Sequence, residues 1–255
     1  MSLQVIAKGS GTPILLIHGS AADHGTWSVQ MASLREFELL SYDRVGTPGT
    51  PRPDAACYTV ERHADDAAEI LRSRGLSSAA VVGSSFGAVV ALDLARRYPI
   101  LVKTLVICEP PLAESDSLAA VPDGFACRFD ALTATQGGPA AAEYFLRSVL
   151  GDAAFEHMPS TYQSRSKQAW QQIRSDMSAL SRYRVRYDDL AEEIRCPVLL
   201  LSGTTSAAFF RDTLDSLHMA IPGSELRVLA GAGHMMQVDA HRQFYEAIRS
   251  VVPLS

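Results

Sequence analysis

The sequence predicts an α/β fold, in which a mostly parallel sheet carries helices on both faces and a helical cap is inserted. Short apolar runs alternate with longer amphipathic segments along most of the chain, which is typical of parallel strands joined by helices. The alternation stops near residue 112 and resumes near residue 190, which indicates an insertion. With 255 residues, 47% of them hydrophobic, the chain can bury a substantial core.

The first part of the chain supplies most of the predicted sheet. Each predicted strand is a short run rich in Val, Ile and Leu. These strands are expected at 3–7, 14–18, 38–42, 79–83 and 104–108. Helical spacing predicts helices at 27–35, 60–74 and 86–98. Gly75 and Pro99 end the last two of these helices.

The middle of the chain predicts the cap, because no strand-like run occurs there and helical stretches are broken by proline and glycine. The clearest of these helical stretches are 140–150 and 166–179. After the cap, strands are expected at 197–202 and 225–230, and helices at 209–221 and 238–252. We therefore predict a sheet domain made of residues 1–111 and 191–255, and a cap made of residues 112–190.

Composition and charge exclude several classes of function. The net charge of −5 and the absence of any Lys/Arg run argue against nucleic acid as a partner. The N-terminal residues lack the features of a secretory signal, and no stretch of about 20 apolar residues could span a membrane, so a cytoplasmic protein is expected. Four scattered cysteines show no CxxC or Cys/His spacing, so neither a zinc site nor a disulfide framework is predicted; they are Cys57, Cys108, Cys127 and Cys196.

The strongest motif is Gly83-Ser84-Ser85-Phe86-Gly87, which lies between an apolar strand and a helical run. A serine in such a tight strand-to-helix turn presents its hydroxyl above the sheet edge, and the flanking glycines leave room for the turn. The backbone N–H of Phe86 lies at a helix N-terminus, where it can hold a developing oxyanion. We predict Ser85 as a nucleophile and Phe86 as a donor of an oxyanion hole.

Two further motifs resemble the α/β-hydrolase family. His18-Gly19-Ser20 follows the strand PILLIH, and Gly233-His234 follows the strand ELRVLA. The resemblance implies that the backbone N–H of Ser20 is the second oxyanion donor, that His18 is structural, and that His234 is the general base. A histidine can accept the serine proton near neutral pH and return it to the leaving group. The Ser20 hydroxyl either contacts the substrate or has no role, the loop requiring only a small residue at this position.

The segments YDRVG and PVLLLSG extend the resemblance over most of the chain outside the cap. In the family the first segment serves as scaffold, so we expect Asp43 and Arg44 to form a structural ion pair. The second segment precedes the position where many members carry the acid of the triad.

That acid position is occupied here by Ser206, three residues after Gly203. A carboxylate is still expected, because it fixes the histidine tautomer and stabilises the imidazolium. Some members of the family carry the acid at the end of the preceding strand, and Glu109 stands at the matching position. We predict Glu109 as the acid, with Asp212 and Asp215 as alternatives.

These residues predict a serine hydrolase that cleaves a small carboxylic ester, thioester or lactone through an acyl-enzyme. This acyl transfer requires no metal and no cofactor. A serine at the turn argues against dehalogenase or epoxide hydrolase relatives, which carry an aspartate there. The alternatives are a lyase, a cyclase, an enzyme of cofactor-free oxygen or peroxide chemistry, or a receptor-like ligand-binding protein. The expected partner is a small, apolar substrate, and a homodimer is compatible with the sequence. Aromatic side chains of the cap either line the substrate pocket or pack in the cap; they are Phe125, Phe129, Tyr144, Phe145, Phe155, Tyr162 and Trp170.

Overall fold

The computed structural model describes residues 3–113 and 123–254. The strands are β1 (Val5–Lys8), β2 (Thr12–Ile17), β3 (Phe37–Tyr42), β4 (Ala79–Ser84), β5 (Val102–Cys108), β6 (Val198–Gly203) and β7 (Glu225–Leu229). They form one sheet in the order β1-β3-β2-β4-β5-β6-β7, with β1 antiparallel to β3 and the other pairs parallel. The predicted mostly parallel sheet is confirmed, and no strand end differs from its predicted position by more than two residues.

Helices cover both faces of this sheet. They are α1 (Ser28–Ser33), α2 (Val60–Ser73), α3 (Phe86–Arg97), α4 (Asp123–Gln136), α5 (Gly138–Leu150), α6 (Asp152–His157), α7 (Ser160–Gln168), α8 (Trp170–Arg182), α9 (Leu190–Glu193), α10 (Ala208–Ala220), α11 (Met236–Asp239) and α12 (His241–Val251). On one face α2, α3 and α10 bury apolar side chains against the sheet, and on the other face α1, α11 and α12 do so. In the described ranges, no helix is both long and apolar enough to cross a bilayer.

Helices α4 to α8 lie between β5 and β6 along the chain, in the stretch for which the cap is predicted. We call this segment, residues 123–182, the helical insertion. It has its own apolar cluster, in which Phe129, Phe155, Ile173 and Met177 are buried. Part of the predicted cap, residues 114–122, lies outside the described residues.

The helices of the insertion differ in detail from the predicted ones. The helix predicted at 166–179 is two helices, because the chain turns at Ala169 and seats Trp170 against α5. A Cβ added to Gly138 would lie 2.2 Å from the Trp170 ring, so the contact is close. Helix α4 was not predicted, since its apolar residues do not fall on one helical face.

The carboxyl ends of the parallel strands meet at one edge of the sheet. The predicted site residues follow four of these ends: Ser20 comes after β2, Ser85 after β4, Glu109 after β5 and His234 after β7. Ligands of open α/β sheets bind outside this edge. The topology therefore gathers residues that are far apart in the sequence.

Candidate active site

Ser85 lies in the turn between β4 and α3. Its φ is +54°, in the left-handed region that residues other than glycine rarely adopt. A Cβ at Gly83 would lie 2.3 Å from the carbonyl oxygen of Gly87, and one at Gly87 would lie 2.2 Å from that of Ile17. The Ser85 amide donates to the Cys108 carbonyl at 2.9 Å, which anchors the turn to β5. Both glycines are therefore required by the turn that presents Ser85 at the sheet edge.

His234 and Glu109, which come from the ends of different strands, are in direct contact. The His234 Nδ1 lies 2.6 Å from the Glu109 Oε2. The other carboxylate oxygen, Oε1, accepts from the Gly203 amide at 2.8 Å and from the Ser202 hydroxyl at 3.2 Å. The His234 ring also stacks on Phe210, with the ring centroids 4.3 Å apart. These contacts fix the orientation of the imidazole.

The charge of Glu109 follows from its surroundings. Burial raises the pKa of this carboxyl, but the hydrogen bond and charge of His234, the Ser206 side chain and the Gly203 amide outweigh burial. The net pKa of Glu109 is lowered, so the group is a carboxylate at neutral pH. Since a carboxylate only accepts hydrogen bonds, the proton of a neutral His234 is assigned to Nδ1. Its Nε2 is then left as an acceptor.

The loop after β2 packs against the serine turn. A Cβ at Gly19 would lie 2.9 Å from the Ser85 Cβ, so only a glycine allows this approach. The next residue, Ser20, donates its hydroxyl to the Asp176 Oδ2 at 2.7 Å. The hydroxyl is thus held by a carboxylate of the helical insertion. Neither of the two roles considered for it from the sequence includes this contact. Phe86 is fully buried, and its amide belongs to the first turn of α3, where amides lack partners within the helix.

The predicted ion pair between Asp43 and Arg44 is wrong. Arg44 instead pairs with Asp176, with Nη2 2.9 Å from Oδ2. The Asp43 Oδ1 accepts from the His24 amide at 2.8 Å and lies 2.9 Å from the Nδ1 of the same residue. The Arg44 side chain is buried while that of Asp43 is 29% exposed, so the two neighbouring side chains have different partners.

The structure does not bring the alternative acids to His234. Asp212 and Asp215 lie on the exposed face of α10, whereas Glu109 is bonded to the imidazole. Ser206 lies beside the Glu109 carboxylate and contributes to lowering its pKa, although its own hydroxyl oxygen makes no hydrogen bond of ordinary geometry.

Ser85 and His234 line one cavity of about 400 Å³ between the sheet edge and the helical insertion. Of the aromatic residues considered from the sequence, Phe145 and Tyr162 line this cavity. Phe129 and Phe155 are instead buried within the insertion. The remaining wall is mostly apolar, with Leu146, Val149, Leu150, Met158 and Val238 among its residues. Sequence patterns did not indicate the wall formed by Met235, Gln237 and Val238, because these residues follow His234 in a loop and a short helix without periodicity.

Three side chains at one side of the cavity have donor atoms suited to a metal ion: Asp23, His24 and Asp43, whose donor atoms all lie within 4.8 Å of one another. The chain itself already supplies partners for these atoms. The Arg165 guanidinium pairs with Asp23, and His24 is bonded to Asp43. These contacts within the protein therefore account for the arrangement.

Comparison with known proteins identifies similar chains over nearly the whole length. A family model described as "Alpha/beta hydrolase family" matches residues 14–247. The chain is 27% identical to a 2-hydroxy-6-oxo-2,4-heptadienoate hydrolase from Pseudomonas putida, over 94% of this chain and 88% of that protein. It is also 27% identical to a putative carbamate hydrolase, RutD, from Escherichia coli, over 88% of this chain and 85% of that protein. A solved structure of a thermophilic esterase from Thermogutta terrifontis superposes with a TM-score of 0.79 at 25% identity, covering 97% of this chain and 92% of that one.

Proposed function

The chain belongs to the alpha/beta hydrolase family, and we propose that it is a serine hydrolase that cleaves small carboxylic esters, thioesters or lactones. One observation carries the proposal: the imidazole of His234 lies 2.6 Å from the buried carboxylate of Glu109, in the wall of the cavity that also contains Ser85. A histidine held in this way is suited to take a proton from a serine hydroxyl.

The proposed mechanism begins with attack of the Ser85 Oγ on the substrate carbonyl. The Nε2 of His234 accepts the hydroxyl proton, and the carboxylate of Glu109 stabilises the resulting imidazolium. The backbone amides of Ser20 and Phe86 donate to the oxyanion of the tetrahedral intermediate. The imidazolium then returns its proton to the leaving group, which departs and leaves an acyl-enzyme.

Hydrolysis completes the cycle. A water molecule gives a proton to His234 and attacks the acyl carbon, and collapse of the second intermediate releases the carboxylic acid and restores the Ser85 hydroxyl. The proposed residues therefore supply both steps, with water as the only co-substrate.

The size and lining of the cavity support a small and mainly apolar substrate. A volume of about 400 Å³ is near the lower end of small-molecule sites. The names of the relatives agree with a carbonyl substrate in general, since they include hydrolases of a heptadienoate and of a carbamate as well as an esterase. Aliphatic side chains such as Leu146 and Val149 would contact the acyl or alcohol group of such a substrate.

The proposal is tested by comparing Ser85→Ala with Ser84→Ala on p-nitrophenyl butyrate, a γ-lactone and a thioester of the same acyl length. We expect Ser85→Ala to lose all measurable turnover while remaining folded, and a fluorophosphonate to attach to Ser85 in the wild-type protein. The Ser84→Ala variant should still be labelled. Turnover by Ser85→Ala close to the wild-type rate, in protein free of contaminating esterase, would exclude the proposed mechanism.

A further inference from the structure

A buried polar cluster joins the helical insertion to the loop that carries Ser20. Its centre is the ion pair of Arg44 and Asp176, whose side chains are 0% and 1% exposed. The pair is bidentate, because Nη1 also lies 3.2 Å from Oδ1. Asp176 belongs to α8 of the insertion, whereas Arg44 follows β3 of the sheet.

Arg44 also donates to the backbone of the same loop. Its Nε donates to the carbonyl of His18 at 3.1 Å, and its Nη2 donates to the carbonyl of Gly19 at 3.1 Å. The carbonyl of Gly19 and the amide of Ser20 belong to one planar trans peptide group, so they point in opposite directions. A guanidinium that holds the carbonyl on one side therefore aims the Ser20 N–H to the other side.

His18 holds the same carbonyl from a second direction. Its Nε2 accepts from the Arg44 amide at 3.1 Å, and its Nδ1 lies 2.8 Å from the Gly19 carbonyl oxygen. Burial and the charge of Arg44 lower the pKa of His18, so the ring is neutral. With Nε2 as an acceptor, Nδ1 carries the proton and donates to Gly19. Both ring nitrogens of His18 are thus bonded to the backbone.

The Ser20 hydroxyl is held by the same acid as Arg44. It donates to the Asp176 Oδ2 at 2.7 Å, the oxygen that also accepts from the Arg44 Nη2 at 2.9 Å. Both ends of the peptide group before Ser20 are therefore held, one through Arg44 and the other through the serine side chain. Asp176 is the residue that the two contacts share.

We propose that Asp176 is a positioning residue that aims the backbone N–H of Ser20 at the oxyanion, through the Ser20 hydroxyl and Arg44. The inference rests on the proposed function, since it concerns the oxyanion hole of that reaction. It assigns to the helical insertion a part in the chemical step, because α8 supplies the carboxylate that orients the amide. An ion pair with a purely structural role would change stability and leave the rate of the folded enzyme unaltered.

Two hydroxyls bonded to the same carboxylate provide a matched test. The Ser20 hydroxyl donates to the Asp176 Oδ2 at 2.7 Å, and the Tyr58 hydroxyl donates to the Asp176 Oδ1 at 2.6 Å. Only the first of these bonds involves the loop that carries Ser20. Ser20→Ala and Tyr58→Phe each remove one of these hydrogen bonds and leave the Arg44–Asp176 ion pair in place. We expect Ser20→Ala to lower kcat on p-nitrophenyl butyrate roughly tenfold with KM changed less than about twofold, because a misaimed donor loses part of the transition-state stabilisation. Tyr58→Phe should lower the melting temperature and keep kcat within about twofold.

An inhibitor and a conservative variant separate positioning from other effects. A trifluoromethyl ketone forms a tetrahedral adduct with an oxyanion, so its Ki for Ser20→Ala should rise by the same factor by which kcat/KM falls. Ser20→Thr keeps a hydroxyl and should retain kcat to within about threefold of the wild type. Asp176→Asn, where it folds, should show a larger loss in kcat than Ser20→Ala.

The inference is overturned if Ser20→Ala and Tyr58→Phe change kcat equally, or if Ser20→Ala raises only KM. In either case, complete labelling of Ser85 by a fluorophosphonate would show that the proposed function stands while the inference about Asp176 fails. A wild-type protein that is not labelled at Ser85 would instead contradict the proposed function itself. If Asp176→Asn does not fold, the Ser20 and Tyr58 pair still decides the question.

Discussion

Replacement of Glu109 by glutamine tests the proposed general base most directly, because the structure uses both oxygens of this carboxylate. Oε2 is bonded to the Nδ1 of His234 at 2.6 Å, and Oε1 accepts from the Gly203 amide at 2.8 Å. Glutamine keeps the shape but replaces one oxygen by an NH₂ group, which only donates. The Glu109→Gln side chain can therefore satisfy one of these two partners and conflicts with the other.

Each orientation of the new amide has a definite cost. If the NH₂ group faces Gly203, two donors oppose each other and a buried amide loses its acceptor, at about 1–3 kcal/mol. If it faces His234, Nδ1 becomes the acceptor, so the ring proton moves to Nε2, which then cannot accept the proton of Ser85. In both orientations the imidazolium loses its negative partner. We expect kcat to fall by roughly 10² to 10⁴, which corresponds to about 2.7–5.4 kcal/mol in the activation barrier.

The assay is kcat for p-nitrophenyl butyrate at saturating substrate, with thermal unfolding to show that the variant is folded. Ser206→Ala is the control, because its hydroxyl oxygen makes no hydrogen bond of ordinary geometry although it lies beside the same carboxylate. It should keep kcat within about threefold of the wild type. The reasoning is refuted if folded Glu109→Gln keeps more than a tenth of the wild-type kcat, a loss under about 1.4 kcal/mol.

Three further predictions concern pH, the serine turn and the cavity. The lowered pKa of Glu109 stabilises the folded protein above the ordinary value of 4.5, and this contribution is lost as pH falls through the folded pKa. The free energy of unfolding, measured in urea, should therefore fall with pH in that range more steeply for the wild type than for Glu109→Gln. Gly87→Ala should lower the free energy of unfolding by at least about 1–3 kcal/mol, because the new Cβ would lie 2.2 Å from a backbone oxygen of β2. Gly124→Ala in α4 is the control and should not lower the free energy of unfolding, because the space around Gly124 is open. Phe145→Ala should raise KM for p-nitrophenyl hexanoate about tenfold and leave KM for p-nitrophenyl acetate unchanged, because the longer acyl chain loses an apolar contact in the cavity. Equal effects on KM for both esters would contradict this prediction.

The sheet was predictable because buried parallel strands are nearly continuous apolar runs. At β1, expected at 3–7 and observed at Val5–Lys8, hydropathy is a weaker guide, since this edge strand exposes most of its side chains. Its position follows from pairing with β3, where Val5 is opposite Tyr42, and hydropathy does not report such pairing. The helical insertion is less regular for a similar reason: its helices pack mainly on each other, and α5 and α8 begin at Gly138 and Trp170, which are in close contact.

The site was predictable where the backbone imposes a residue type, and not where side chains meet across the fold. The glycines of the serine turn are required by the backbone, since a Cβ at either position would clash with a carbonyl oxygen, so the motif can be read from the sequence. Asp176 is 132 residues from Arg44, and no spacing in the chain connects them. The expected pair of Asp43 and Arg44 is wrong because the buried Arg44 side chain meets Asp176, whereas that of Asp43 meets His24.

The location of the proposed acid illustrates how the topology allows two solutions. Strands β5 and β6 are adjacent and parallel, with Cys108 opposite Leu201, so residues beyond the two carboxyl ends lie near each other. Glu109 reaches His234 from β5, and Ser206 lies beside that carboxylate from the loop after β6. An aspartate at position 206 should therefore substitute for the lost charge. We expect kcat of the double variant Glu109→Gln and Ser206→Asp to be at least tenfold higher than kcat of Glu109→Gln alone. A folded double variant as slow as Glu109→Gln would show that a carboxylate from β6 cannot reach Nδ1 in this protein.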